Sequence, residues 1–381
     1  MSKTSMGGGD ATFADAIEYI IVRSAPYFIL DGVQMLRHYA DDFIGCHRDH
    51  HKASLQFFRA RFYFVKLKVE ISVKKILAPA KVQKVLGWIF DTRSMSVSIP
   101  SNKRHAILKA IKRALRNGFI SHKCLERLVG RLQWCSLAMF PGKAFIRRLE
   151  RIMYACDVKR ARIILNHHAI QDLRWWQDAL MHDINGITID FILRDISTAD
   201  ITVYTDAAYT VGMGGFSTQG DAFRIKWGHT QVPHIAADRT GIDIQFMELL
   251  APIVMAMMFA HQWSGMAVKF MVDNSSAVSA LTKKQAKLHR FDMNYLIRVF
   301  FTLARHFRFK TFAVHILGKD NTLADHLSRF IFNPKQLRYD VATNERVQRA
   351  TATVLKNLAF EPDNTMISSF DRKAHNFSNC L

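Results

Sequence analysis

The chain has 381 residues, 49% of them hydrophobic, which excludes wholesale disorder and leaves room for two or three domains with real cores. Its longest apolar run, 249–260, is too short to span a bilayer, no N-terminal signal pattern is visible, and five cysteines without framework spacing point to a reducing, intracellular setting, cytoplasmic or nuclear, rather than secretion. The net charge of +21 falls wholly within residues 43–165, which hold 27 Lys and Arg against 6 Asp and Glu while the rest of the chain holds 26 of each; this reads as a surface that tracks a phosphate backbone, or as a merely solvated basic face.

Residues 1–12 are small and polar. The spacing of Phe13, Ala16, Ile17, Ile20 and Ile21 predicts an amphipathic helix over 13–24, ending before Pro26. Over 33–45, apolar and β-branched residues run into Asp41 and Asp42 and then resume, the pattern of a tight hairpin with both carboxylates at its tip. Adjacent acids repel, so a divalent cation or a cationic partner would hold them together; alone, the pair also reads as an ordinary turn. Residues 50–66 read as a helix and 68–76 as a strand. Residues 85–90 and 95–99 read as a hairpin turning at 91–94. Ser101 is placed to cap a helix that stops at Asn117-Gly118, and its one-sided Lys103, Lys109, Lys112, Arg113 and Arg116 make it a candidate backbone-contacting helix. Helices over 121–138 and 142–156, split by Pro141, and over 166–181 follow. Trp175 and Trp176 read as packing residues ahead of a base-stacking platform.

Residues 183–200 lack periodicity and read as a linker. Three strand candidates then appear at 201–205, 212–217 and 222–227. A long apolar helix is predicted over 243–263, a strand over 267–272, helices over 274–281 and 287–306, a strand over 310–316 and a last helix over 321–329. Three strands followed by alternating helices and strands imply a mixed sheet flanked by helices. Four acids sit at comparable places in this unit. Asp206 ends the first strand, Glu248 lies on the first helix, Asp273 ends the fourth strand and Asp325 lies on the last helix. Four carboxylates around one sheet edge cannot all stay ionised without cations, and a pair of divalent ions would neutralise them. No domain is assigned over 331–381.

The motifs Thr205-Asp206-Ala207, Gly212 to Gly215, Met247-Glu248-Leu249-Leu250-Ala251, Val272-Asp273-Asn274, Gly318 to Asn321 and Ala324 to Arg329 together resemble the ribonuclease H domain of retroelements. The first half resembles the palm end and thumb of their reverse transcriptase. Tyr39 to Asp42 match its motif C, Lys75 its motif D lysine, Leu86-Gly87-Trp88 its primer-gripping motif E, and Leu128 to Leu132, which includes Arg131, with Pro141-Gly142-Lys143 its thumb signature. The wording is most similar to DIRS-like, tyrosine-recombinase retrotransposons, with Ty3-like elements second. The resemblance implies α+β and α/β architecture: a partial reverse-transcriptase palm (1–100), thumb and connection helices (101–182), the linker, and a ribonuclease H-like mixed five-stranded sheet with flanking helices (201–330). It implies Mg²⁺, or Mn²⁺, held by Asp206, Glu248, Asp273 and Asp325, with Asp41 and Asp42 as further catalytic metal ligands. It also implies an RNA-DNA hybrid or template-primer as partner, met by Lys75, Gly87, Trp88, Lys109, Lys112, Arg113, Arg116 and Arg131, and no membrane. Asn321 reads as the N-cap of the last helix, and His315 is the candidate for the family's mobile histidine.

Two departures bear on activity. Polymerases of this family need a third aspartate on an earlier strand, and only 38 residues precede Tyr39. DNA polymerase activity is therefore expected to be lost, unless a second polypeptide supplies the fingers and motif A. In addition, Pro252 removes the partner of the Glu248 carbonyl at a cost of about 3 kcal/mol in a helix interior. A kink or a late helix start would move the carboxylate, leaving a catalytically inert nucleic-acid-binding remnant as the alternative to a Mg²⁺-dependent hybrid ribonuclease.

Overall fold

The computed structural model describes residues 42–156, 162–227 and 243–331, with the short pieces 29–30, 33–34, 36–39, 340–341, 346–347, 349–352 and 354. The expected helix over 13–24 lies outside the described residues. The chain divides into two compact units, Met1–Pro100 and Ser101–Leu381.

In the first unit, β1 (Ile29–Leu30) pairs antiparallel with β2 (Val33–Gln34), and β3 (Leu36–Tyr39) with β4 (Asp42–Gly45). Helix α1 (His50–Lys66) is capped by Asp49, whose carboxylate accepts from the Lys52 amide at 2.8 Å. Leu36 and Phe64 form a small core with Phe43, Ala60, Tyr63 and Val69. The expected strand over 68–76 does not form. Lys68 turns the chain with a positive φ, residues Val73–Lys75 make one 3₁₀ turn, and the Val73 side chain is 81% exposed. Among the described residues no strand pairs with this segment, and an alternating segment without a paired neighbour has little to stabilise it as a sheet.

Strands β5 (Val82–Val85), β6 (Trp88–Asp91) and β7 (Ser96–Ser98) form an antiparallel meander. The predicted strand over 85–90 is instead interrupted by Leu86 and Gly87, which carry φ of 50° and 89° between the paired Val85 and Trp88. Two positive-φ residues make a two-residue hairpin turn whose twist matches the strands.

The second unit begins with α2 (Ser101–Asn117), ended as predicted at Gly118, where φ is +71°. Strand β8 (Phe119–Ser121) leads into α3 (His122–Cys135), capped by the Ser121 hydroxyl. The predicted helix over 142–156 starts as a 3₁₀ turn, Gly142–Phe145, before α4 (Arg147–Tyr154). Strand β9 (Arg162–Ile164) pairs with β8, and Asn166 caps α5 (His167–His182). Trp175 stacks on Phe145 at 3.9 Å and the Trp176 indole donates to the Phe145 carbonyl at 3.1 Å. Both indoles are buried, so they pack the helices and present no stacking face.

Residues 183–200, expected as a linker, hold β10 (Ile187–Thr188) and the short helix α6 (Ile189–Leu193). They are tied down at their end, where the Asp200 carboxylate accepts from the Ala267 amide at 2.7 Å.

The sheet that follows holds β11 (Ile201–Ala208), β12 (Gly212–Ser217), β13 (Asp221–Lys226), β14 (Ala267–Val272), β15 (Lys310–His315) and the two-residue β16 (Asp340–Val341), in the order β15-β14-β11-β12-β13-β16. The first three strands pair antiparallel, whereas β11, β14 and β15 run parallel. This is the expected mixed five-stranded sheet with a short sixth strand added from the tail, β16 lying parallel to β13. Val347, Ala350, Thr351 and Val354 are buried at helical spacing, so the tail contributes to the core that weak periodicity had left unassigned. Helix α7 (Ile244–Phe259), α8 (Ser275–Lys283), α9 (Phe291–His306) and α10 (Thr322–Ser328) flank the sheet.

Helix α7 is buried around its whole circumference from Phe246 to Phe259. By length and composition Ile244–Trp263 would cross a bilayer, but 83% of its most apolar window lies inside the unit, as for the core helix of a globular fold. Pro252 lies inside α7 and does not end it. Burial on every side supplies the hydrophobic energy that offsets the missing hydrogen bond.

Candidate metal centre

The site follows from strand register. Strands β11 and β14 are parallel neighbours with Thr205 opposite Val272, so the next residues, Asp206 and Asp273, emerge at the same edge of the sheet. Asp243 caps α7 by accepting from the Phe246 amide at 3.0 Å, and the second turn of that helix then carries Glu248 over β11. One carboxylate oxygen from each of Asp206, Glu248 and Asp273 lies within 4.8 Å of the others. Asp206 is 5% and Glu248 4% exposed.

Three acids packed this closely and out of water resist ionisation together. Burial, then the charges of Asp206 and Asp273, push the Glu248 carboxyl up to about 9. Burial raises Asp206 to about 6, with the charges of Asp273 and Asp325 adding and the Ser328 hydroxyl and Arg329 opposing. Asp273 is likewise raised by burial. Glu248 Oε1 accepts from the Ala207 amide at 3.4 Å, while the buried Oε2 meets no protein donor. A buried carboxylate oxygen without a donor, beside two further acids, fits a divalent cation, so the cluster can hold a metal ion.

Asp325 does not join this cluster. Its Oδ1 is held by Arg329 Nε at 2.6 Å, one helical turn on. Its charge still reaches Asp206 and Asp273. Asn321 holds the N-cap position of α10 as expected, but its side chain makes no capping bond; its amide donates to the Thr205 carbonyl at 3.0 Å, bracing the strand just before Asp206. His315 is the last residue of β15, and its Nε2–H donates to the Asp273 carbonyl at 3.0 Å.

Two contributors stood inside the quoted motifs without a role assigned to them. The Ser328 hydroxyl is fully buried and donates a very short hydrogen bond to Asp206 Oδ2. The signal was present: Ser328 follows Asp325 by three positions and so shares its helix face. The other is Gly214, the cross-strand partner of Asp206. A Cβ there would lie 2.6 Å from Leu327 Cβ and 2.9 Å from the Ser328 amide nitrogen. Its bare backbone lets α10 rest on β12 and brings Ser328 to Asp206.

The polymerase-type residues are placed as follows. Asp41 lies outside the described residues. Asp42 opens β4, paired with Tyr39, and is exposed; among the described residues it belongs to no acidic group that can hold a metal. Lys75 is exposed on its 3₁₀ turn, Gly87 is the turn residue, and Trp88 is 9% exposed. Lys109, Lys112, Arg113 and Arg116 are exposed on α2, opposite its buried Ile107, Ile111 and Ala114, and Arg131 is exposed on α3. Lys103 instead folds its ammonium over the Trp134 ring at 4.2 Å.

No protein-family model matches the chain, and no curated protein matches it in sequence. Among solved structures it is similar to the foamy viral protease-reverse transcriptase dRH in complex with ds DNA, at 12% identity and a TM-score of 0.40, over 81% of this chain and 49% of that one. It is similar also to the foamy viral protease-reverse transcriptase in complex with RNA/DNA hybrid (11% identity, TM-score 0.37, 87% and 62% of the two chains) and with dsDNA (13%, 0.36, 82% and 60%). The chain spans about half to three fifths of the length of these three structures.

Proposed function

We propose that residues 201–330 hydrolyse the RNA strand of an RNA-DNA hybrid in the manner of a retroelement ribonuclease H, with motif wording most similar to DIRS-like elements. The observation that carries this reading is the convergence of Asp206 in β11, Asp273 just past β14 and Glu248 on a buried helix into one cluster of ligand oxygens within 4.8 Å. Asp206, Glu248 and Asp273 would hold the ion, Mg²⁺ or Mn²⁺, with Asp325 as a fourth acid at the rim. Divalent cations supply, when bound, charge neutralisation at phosphorus and a lowered pKa for the attacking water.

The chain's own residues do the rest. Ser328 fixes the orientation of the Asp206 carboxylate, and the Ala207 amide fixes that of Glu248. Glu248 would hold a cation as its carboxylate, since a protonated acid is a poor cation ligand. The exposed Lys109, Lys112, Arg113, Arg116 and Arg131 provide a positive surface for the backbone of the hybrid.

A binding-only reading draws on one observation, the ion pair that keeps Asp325 out of the cluster. One experiment separates the two: purified protein with a labelled hybrid and Mg²⁺. Cleavage that Asp206→Asn abolishes supports the nuclease. Salt-sensitive hybrid binding with no Mg²⁺-dependent cleavage supports the binding module.

A further inference from the structure

We infer that Arg329 is an internal counter-ion of the acid cluster, which occupies Asp325 and competes with a divalent cation for it. The inference rests on the metal-centre reading above and deepens it. Arg329 and Asp325 lie one turn apart at the end of α10, and the guanidinium Nε sits 2.6 Å from Asp325 Oδ1. Both side chains are partly open to solvent, at 52% and 34%, so the pair is exchangeable rather than sealed. Three of the four acids in this neighbourhood gather with ligand oxygens facing one another, and the fourth is the one whose oxygen Arg329 holds.

The positive charge also acts beyond its direct partner, because Arg329 attracts the Asp206 carboxylate as well. Arg329 thus supplies in the cation-free protein part of the neutralisation that the acids otherwise lack. A cation that draws in Asp325 has to break this ion pair first, so the cluster takes its last cation more weakly than four free acids would. Basic side chains on the elements around Asp273 also include Lys269, Lys310, His326, Lys319 and His315, and the His315 ring is committed to the Asp273 carbonyl.

The test is calorimetric titration of the full chain with Mn²⁺ in the absence of nucleic acid, comparing wild type, Arg329→Gln, Arg329→Lys, Asp325→Asn and Asp206→Asn. Arg329→Gln is expected to tighten Mn²⁺ binding by about two- to fivefold at low salt, the range set by an exposed ion pair. That gain should shrink at high salt, where the Arg–Asp attraction is screened. Arg329→Lys should stay near wild type, and Asp325→Asn should remove the response to Arg329→Gln when the two are combined. Unchanged or weaker binding in Arg329→Gln, while Asp206→Asn loses Mn²⁺, overturns the counter-ion and leaves the metal centre standing. Mn²⁺ binding untouched by Asp206→Asn overturns the metal centre itself, and the counter-ion with it.

Discussion

Two acidic sites in this chain look alike in sequence and differ in structure. Asp42 opens the second strand of a two-stranded hairpin, where it is exposed and its cross-strand partner is Tyr39. Asp206, expected at a strand end, lies inside β11, which runs on to Ala208 with a neighbour on either side, and parallel pairing to β14 brings Asp273 to the same edge. A hairpin tip gathers only residues that are close in sequence. A central strand gathers residues from across the unit and buries them, and burial is what raises Glu248 to about 9 and Asp206 to about 6.

The comparison breaks most directly at the chemistry. Asp206→Asn is expected to cost at least about 3 kcal/mol of transition-state stabilisation, more than a hundredfold in hybrid cleavage. Asp42→Asn should leave that rate within about twofold, as expected of a surface acid. Equal losses from the two substitutions would show that the hairpin belongs to the same catalytic site.

A smaller contrast lies between two glycines. Gly214→Ala forces a Cβ against Leu327 and the Ser328 backbone and should destabilise the second unit by about 1–3 kcal/mol, read as a fall in its thermal midpoint. Gly87→Ala puts a side chain at a φ of +89° and should cost about 1 kcal/mol, read in the first unit.

Acidity offers a third measure. A carboxyl whose folded pKa exceeds its unfolded value keeps a proton that the unfolded chain releases, so stability is greatest at low pH and is lost as pH rises. For Glu248 the window runs from the ordinary 4.5 to about 9, with Asp206 adding from 3.8 to about 6. The thermal midpoint of the cation-free protein should therefore decline across this range. Glu248→Gln should flatten the decline, and saturating Mg²⁺ should reverse it.

The smallest effect is expected for Ser328→Ala, which leaves all the acids in place and removes one orienting hydroxyl. A loss of about tenfold in cation affinity, restored in part by Ser328→Thr, would mark it as a positioning residue. No change would reduce the hydrogen bond to Asp206 to packing.

Much of this was legible in the chain. The succession of β11 to β15 in a mixed sheet, the starts of α5, α7 and α8 near Asn166, Asp243 and Asn274, and three of the four acids follow from local pattern. What stayed hidden depends on partners remote in sequence. Asn321 has the residue type of a cap, yet Thr205, 116 residues earlier, takes its amide. Asp325 has the place of a ligand, yet Arg329 takes its oxygen. Residues 68–76 alternate like a strand, but among the described residues no strand pairs with them. Pro252 looked disruptive because the burial that surrounds α7 is tertiary, and local sequence carries no measure of it.

Because Gly214 leaves its side of β12 to be covered by α10, the order of synthesis matters. A nascent chain that has emerged through β15 already contains Asp206, Glu248 and Asp273, but not Leu327 and Ser328. The hydroxyl that holds Asp206 arrives 122 residues later than the acid it serves. Closing so long a span is slow relative to local helix formation. The centre therefore matures only after its last helix has docked, and a chain shortened before Thr322 would keep every clustered acid while losing the piece that sets them in place.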